Sequence, residues 1–498
     1  MRRILFLAVA LAATAVTVTA VPSATAAPTP DALRWVPCAE NPGGAAGAAE
    51  TEASADFPPM ECATLEVPLD YDDPDGRQIE VAVSRLASEK PSQRRGVLLT
   101  NPGGPGISGL GYPAVLAASG LPQKVLDSYD VIGFDPRGVG RSTPVSCELT
   151  EEQQNRGNFP SYAHTAADVV RAAAPAREVA ERCADSPSAS LLPHINTANT
   201  ARDMDRIRAA LGERRISYVG ASYGTHLGAV YASLFPERGD RIVLDSNLGP
   251  GGVDADAMRL FGPGMEERFP FFAKYAADHP EYGLGSTPEE VTATYFELAE
   301  RLEKEPVQGY DGTAFRGVTF DLLYADANMP ALAETWQALD TGRPLPEEPP
   351  FPDMDNFMSA RFAVICGEGE WPRSIREYQR AVAADRQRYP MIGGSSANIG
   401  PCAFWPGKWL QQPVEVGDRG PSNVLMVQNE RDPGTPLAGA RETRRALGKR
   451  AVMVTADQGG HGVYVFGRNA CANDAVTTYL TTGDRPARDL ACAAEPGE

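Results

Sequence analysis

Histidine is scarce in this chain, with 5 in 498 residues. Imidazole donors for a metal centre are correspondingly few, and no Cys-x-x-Cys or His-Glu-x-x-His spacing occurs, so no metal and no organic cofactor is expected. Beyond the first 27 residues no apolar run is long enough to cross a bilayer. Basic charge is outnumbered, 46 Lys and Arg against 65 Asp and Glu, for a formal net charge of −19. A surface of that sign repels nucleic acid and anionic lipid, and neither is expected as a partner. Internal repeats and long low-complexity segments are missing as well.

What is present at the start is an export segment. Arg2 and Arg3 form a basic head, Ile4 to Val18 an apolar stretch diluted by alanine and threonine, and Ala24-Thr25-Ala26 a small-residue cleavage site, so residues 1–27 read as a signal peptide. No cysteine stands there to carry a lipid. The mature chain is expected to be secreted, and a monomer. Its eight cysteines, Cys38, Cys62, Cys147, Cys183, Cys366, Cys402, Cys471 and Cys492, are even in number and all follow the cleavage site. In an exported protein they should pair as disulfides. Eight allow about 105 connectivities, but clustering favours Cys38 with Cys62, Cys147 with Cys183, Cys366 with Cys402 and Cys471 with Cys492.

The chemistry is written between Arg215 and Gly228, RISYVGASYGTHLG. A short apolar strand runs into Gly-x-Ser-x-Gly and then directly into a helix. A serine on so sharp a turn needs small residues two before and two after it, and Gly220 and Gly224 meet that need. Ser222 is therefore the candidate nucleophile, and the Tyr223 N–H, at the helix start, a candidate donor to a developing oxyanion. The acid and base should follow in that order on loops after strands. Asn423 to Gln428 is a buried-strand run whose loop carries Asp432, the candidate acid, with Glu430 and Asp457 as neighbouring alternatives. Ala451 to Thr455 is the next strand, and the Gly459-Gly460-His461-Gly462 loop after it supplies the candidate base, His461. His164 and His194 precede the serine, His279 lies in an inserted region, and His226, one helical turn past Ser222, reads as a packed helix residue. The second oxyanion donor should come from Asn101-Pro102-Gly103-Gly104-Pro105-Gly106, after the strand Gly96 to Thr100, with Gly104 the first choice and Gly103 the second. Asp135 and Arg137, after the strand Tyr129 to Phe134, read as structural.

NPGGPG, DPRGVGRS, GASYGTHLG, RDPGTP and GGHG, in this order and spacing, resemble the secreted actinobacterial tripeptidyl aminopeptidases of the α/β-hydrolase superfamily, relatives of the prolyl aminopeptidases. The resemblance runs from about Glu61 to the C-terminus and is loose in the middle third. It implies Ser222, Asp432 and His461 as a catalytic triad, part of an oxyanion hole at Gly104, and short peptides as substrates, cut to release an N-terminal di- or tripeptide. It also implies an α/β fold with a mostly parallel sheet and a large, mainly helical cap. The divisions expected are a signal peptide over 1–27, an arm or propeptide over 28–60, core over 61–248, cap over 249–416 and core again over 417–498. Strands alternating with helices over the core segments independently point to a mostly parallel sheet.

An exopeptidase of this kind must read a free α-ammonium group, for which carboxylates held over the pocket are the simplest device. Glu368 and Glu370, beside Trp371 and next to Cys366, are the candidates, with Glu266 and Glu267 as a second pair. Solvated surface glutamates are the plain alternative for each. The same triad would equally serve a secreted carboxylesterase, and a non-catalytic hydrolase-fold binding module is the remote alternative.

Overall fold

A computed structural model describes residues 33–38, 58–155, 159–346 and 353–495. The expected signal peptide over 1–27 and most of the expected arm over 28–60 lie outside the described residues. Ten strands form one sheet: β1 Val36–Pro37, β2 Glu61–Pro68, β3 Gln78–Leu86, β4 Gly96–Asn101, β5 Tyr129–Phe134, β6 Ile216–Ala221, β7 Gly239–Asp245, β8 Val424–Arg431, β9 Ala451–Gly459 and β10 Leu490–Cys492. Their spatial order is β1-β2-β3-β5-β4-β6-β7-β8-β9-β10. β1, β2 and β3 run antiparallel up to the β3/β5 pair, and from β5 to β10 every pairing is parallel.

Burial explains which strands sit where. β4 (GVLLTN) and β5 (YDVIGF) are buried at every position, as strands covered on both faces must be, whereas β2 alternates buried and exposed residues in its middle, as a half-covered outer strand does. Successive side chains of β4 feed opposite cores. Val97 and Leu99 pack with the helices Ala166–Asp185, Thr197–Ala210 and Tyr223–Leu234, while Leu98 packs with Tyr112–Ala118 and Ala470–Thr482.

From β4 the chain moves to β5 on one side and returns to β6 on the other, so the order in which strands are added reverses between β4 and β6, although the strands stay parallel. In open α/β sheets the crevice beyond the strand carboxyl ends at such a point is where ligands bind. Between β7 and β8 the chain leaves the sheet to build helices with their own aromatic core, in which Phe269, Phe272, Tyr295, Phe315 and Trp336 pack together. Pro288–Lys304 shows why such a helix starts where it does: Thr287 accepts the Glu290 N–H and proline occupies the first helical position, where no N–H is needed.

Four disulfides join Cys38 to Cys62, Cys147 to Cys183, Cys366 to Cys402 and Cys471 to Cys492. Asp135 is fully buried and accepts hydrogen bonds from Ser108, Gly109, Leu110 and Arg141, and Arg137 forms a buried ion pair with Asp203 at 2.6 Å.

Candidate active site

Ser222 stands between β6 and the helix Tyr223–Leu234 with φ 57° and ψ −124°. That strained turn exists because nothing larger than hydrogen fits on either side of it. A Cβ on Gly224 would lie 2.9 Å from the Asn101 carbonyl oxygen, and one on Gly220 would overlap the Gly224 carbonyl and the Tyr218 ring. The Ser222 N–H donates to the Asp245 carbonyl at 2.9 Å, which ties the turn to the end of β7.

Asp432 follows β8 directly and is 1 % exposed. Its Oδ1 accepts the N–H groups of Gly434 and Thr435, both at 2.9 Å, and its Oδ2 accepts the Thr435 hydroxyl at 2.9 Å. Both oxygens lie 3.0 Å from His461 Nδ1. Burial pulls the His461 pKa down, but the charge and hydrogen bond of Asp432 outweigh it and leave the imidazole above its ordinary value. The competing carboxylate Asp457 is neutralised by Arg431 at 2.6 Å. Of the other histidines, His164 pairs with Glu303 at 2.9 Å, His279 with the Tyr275 carbonyl at 2.7 Å, and His226 is buried in its helix, where burial pushes its pKa down to about 4.

The β4 loop reaches the serine from the neighbouring strand. Gly103 has φ +104°, and a Cβ there would stand 2.8 Å from Ser222 Cβ and 3.2 Å from the Tyr223 nitrogen. Its own N–H is spent on the Asn101 side chain at 3.0 Å. Among the described residues the Gly104 and Tyr223 N–H groups have no such acceptor. The Gly103 backbone thus packs against the Ser222 turn, and Asp432 and His461 are paired on the loops after β8 and β9.

Residues 389–492, which include Asp432 and His461, match the family model described as TAP-like protein. Over 459 residues the chain is 37 % identical to the tripeptidyl aminopeptidase of Streptomyces coelicolor, covering 87 % of this chain and 83 % of that protein. This chain belongs to the tripeptidyl aminopeptidase family of α/β-hydrolases. Serine protease Hip1 of Mycobacterium tuberculosis is 29 % identical over 92 % of this chain and 91 % of its own. Carboxylesterase B of the same organism is 30 % identical over 87 % and 86 %. The tripeptidyl aminopeptidase relationship makes the chain an enzyme, a serine peptidase of the α/β-hydrolase type.

Within this tripeptidyl aminopeptidase-like framework, the cap candidates separate. Cys366 to Glu368 form the last turn of the helix Met354–Glu368. The Glu368 carboxylate accepts the Thr197 N–H at 3.1 Å and the Thr197 hydroxyl, and burial pushes its pKa up to about 7. Glu370 is exposed, and the Trp371 indole N–H donates to the Ile365 carbonyl at 2.7 Å. Glu266 accepts the Met391 N–H at 3.1 Å, and Glu267 is exposed.

Three residues at the site were not singled out by sequence. Asp245, at the end of β7, is buried and accepts the Val463 N–H at 2.9 Å and the Tyr464 N–H at 2.8 Å, while the adjacent Ser246 hydroxyl accepts the Gly462 N–H at 2.8 Å. Burial pushes the Asp245 carboxyl up to about 6 against the pull of those amides. Tyr324, from the helical segment between β7 and β8 where a cap is expected, accepts the His461 backbone N–H on its carbonyl at 2.6 Å and holds its ring 4.7 Å from the imidazole. Arg361, from the same segment, donates to the Gly104 carbonyl at 2.9 Å. A carboxylate closing the strand run RIVLD was the one local signal for Asp245; the other two had none.

Proposed function

We propose that this protein is a secreted serine exopeptidase that releases tri- or dipeptides from the N-terminus of short peptide substrates through Ser222, His461 and Asp432. The observation that carries the reading is the Asp432–His461 pair, held on the two loops beyond a strained Ser222 at the sheet's reversal point.

In this mechanism His461 accepts the Ser222 hydroxyl proton on Nε2 as the oxygen attacks the scissile carbonyl. Asp432 keeps Nδ1 protonated and stabilises the imidazolium. The Tyr223 and Gly104 N–H groups receive the oxyanion, an interaction whose loss costs about 3 to 4 kcal/mol per donor in comparable sites. His461 then protonates the leaving amine, and water hydrolyses the acyl-enzyme by the reverse sequence. Glu370, exposed beside Trp371, is the cap carboxylate available to a substrate ammonium, because the Glu368 carboxylate is already engaged by Thr197. Export through the segment 1–27 agrees with four disulfides, and no helix among the described residues is long and apolar enough to cross a membrane.

The likeness to a carboxylesterase favours one second reading, a secreted esterase that uses the same triad. Mature protein and its Ser222→Ala variant should be assayed on tripeptide anilides with a free or acetylated N-terminus beside a short-chain ester. Ser222-dependent cleavage of the free-amine peptide alone is the expected result. Ester turnover without peptide cleavage would replace the peptidase reading by the esterase one.

A further inference from the structure

The helix Met354–Glu368 departs from the sheet's connectivity yet touches the core along its whole length. Asp355 accepts the Leu149 N–H at 2.7 Å, and Asn356 donates to the carbonyls of Gly138 and Val145, both at 2.8 Å. The Phe357 carbonyl stands 2.5 Å from where a Cβ on Gly106 would be. One turn further on, Arg361 donates to the Gly104 carbonyl. At the helix end Glu368 holds Thr197, whose hydroxyl shares a 2.6 Å hydrogen bond with the Tyr223 hydroxyl. The middle and the C-terminal end of one helix therefore reach the two residues whose amides form the oxyanion hole of the mechanism above.

We propose that Arg361 is a positioning residue for acyl transfer: through the Gly104 carbonyl it fixes the Gly104 N–H, while Glu368 at the end of the same helix, acting through Thr197, fixes Tyr223. The β4 loop needs such a restraint. Gly103, Gly104 and Gly106 all have positive φ, between +97° and +108°, and none has a side chain by which the loop could anchor itself. A glycine backbone left free samples many conformations, and every one that turns the Gly104 N–H away from the serine is catalytically silent. The guanidinium suits the task because it is planar, always charged and donates in a fixed direction to a carbonyl. Arg361 is 6 % exposed, and the groups that face it are the neutral Tyr324 hydroxyl and the Asp321 carboxylate. Burial lowers its pKa without changing its charge at neutral pH.

The inference rests on Ser222 acyl transfer and holds for a peptide or an ester substrate. The test uses full-length mature enzyme and its Arg361→Met, Arg361→Lys and Thr197→Val variants. Four quantities are read: kcat and KM on whichever acyl substrate wild type turns over, inhibition by a tripeptide aldehyde that forms a tetrahedral adduct, affinity for the product tripeptide, and Tm. Arg361→Met should lose about 10- to 100-fold in kcat with KM within about threefold, and aldehyde binding should weaken in step while product affinity stays level. Arg361→Lys should recover part of the loss, and millimolar guanidinium should partly rescue Arg361→Met. Thr197→Val approaches the other donor from its own side and should show the same split, which keeps the test decisive if the methionine variant does not fold. A rise in KM alone, or a fall in kcat with aldehyde affinity unchanged, overturns the proposal. Failure of wild type itself to react with a fluorophosphonate at Ser222 would instead remove the acyl-transfer reading beneath it.

Discussion

Replacing Asp432 by asparagine tests the catalytic geometry with little disturbance of the fold. Oδ1 of Asp432 serves two buried backbone donors, Gly434 and Thr435, each at 2.9 Å, and Oδ2 serves the Thr435 hydroxyl. An asparagine has one oxygen for these places. Facing two buried amide N–H groups with an NH2 would cost about 1 to 3 kcal/mol for each donor left unpaired, so the oxygen takes the Oδ1 position and both its lone pairs are occupied. The NH2 then points at the Thr435 hydroxyl, which can rotate to accept, and at His461 Nδ1, 3.0 Å from the Oδ2 position. To receive that hydrogen bond Nδ1 must give up its proton. The imidazole then carries its proton on Nε2, where a base facing Ser222 needs a lone pair.

The expected loss in kcat is about 10⁴-fold for a wrong-tautomer histidine, or about 5.5 kcal/mol in the barrier. Stability should change by no more than about 1 kcal/mol, since every buried backbone donor keeps an acceptor. Asp432→Ala is the contrast, because it strips both amides of their acceptor and should lower Tm clearly. Without Asp432, burial of His461 is opposed only by the weaker pull of the Asp245 charge, so the acid limb of the asparagine variant's residual activity should move to lower pH than in wild type. Turnover of the free-amine tripeptide anilide by pure Asp432→Asn protein measures the first effect and a melting curve the second. An asparagine variant that keeps a tenth or more of wild-type kcat would refute the assignment of Asp432.

Gly103→Ala should combine positive-φ strain of about 1 to 3 kcal/mol with about 1 to 3 kcal/mol of overpacking, because its Cβ would stand 2.7 Å from the Ala221 carbonyl and 2.8 Å from Ser222 Cβ. Both Tm and the rate of Ser222 phosphonylation by a fluorophosphonate should fall; an unchanged labelling rate contradicts the close approach. For Asp245, whose folded pKa of about 6 lies above the unfolded carboxylate value of 3.8, the folded state binds the proton more tightly, so its stabilising contribution is complete below about pH 4 and is lost as pH rises through 6. About two pKa units give about 3 kcal/mol, and Asp245→Asn should remove that slope from stability curves measured between pH 4 and 7. A wild-type and a variant curve that run parallel would refute it. Serine at both Cys366 and Cys402, which close a loop of sequence separation 36, should cost about 4 kcal/mol by loop entropy and lower kcat through the helix Met354–Glu368; a denaturation midpoint that does not move counts against that role.

The elbow could be read from sequence because its cause is local: two glycines at fixed offsets from a serine, between an apolar strand and a helix. Asp432 and His461 were legible for a similar reason, each lying just beyond a continuous apolar run. The ends of those runs were not. β8 continues to Arg431 and β9 to Gly459, past the polar residues Asn429, Glu430, Asp457 and Gln458, because the ladder between them carries a register shift from Asn429 to Arg431 that hydropathy does not record. Asp245 went unassigned because its partners Val463 and Tyr464 lie more than 200 positions away. Arg361 sits on a helix where Met358, Ala360, Ala363, Val364 and Ile365 are all buried. A helix buried on all sides has no amphipathic stripe, and a charged residue on it gives no sign of the direction it faces. No local signal marks Glu368 as helical, because Gly367 and Gly369 on either side of it suggest a turn, while the chain stays helical through Glu368.

The contacts of the cap also limit how substrate reaches the serine. Three loops of the site each meet a cap helix or its end. The Gly104 carbonyl accepts from Arg361, the Pro433 carbonyl lies against Gly264 of the helix Phe261–Asp278, and the His461 N–H donates to the Tyr324 carbonyl. Lifting the whole cap as one rigid lid would break the first and third of these together and leave the His461 loop without its anchor on one side. Each such bond contributes about 1 kcal/mol, more for the charged one, but their loss falls on the groups whose positions set the rate. A hinged cap would therefore disassemble the site in every turnover. Access is better served by segments of the cap that touch none of the three loops, so residues that select substrate can vary while Arg361, Tyr324 and Gly264 stay fixed against the core. Substitutions at the exposed Glu370 and the half-buried Trp371 should change KM and peptide preference at nearly constant kcat, as read from a panel of tripeptide anilides. Equal losses in kcat across that panel would show that this side of the cap is also part of the catalytic frame.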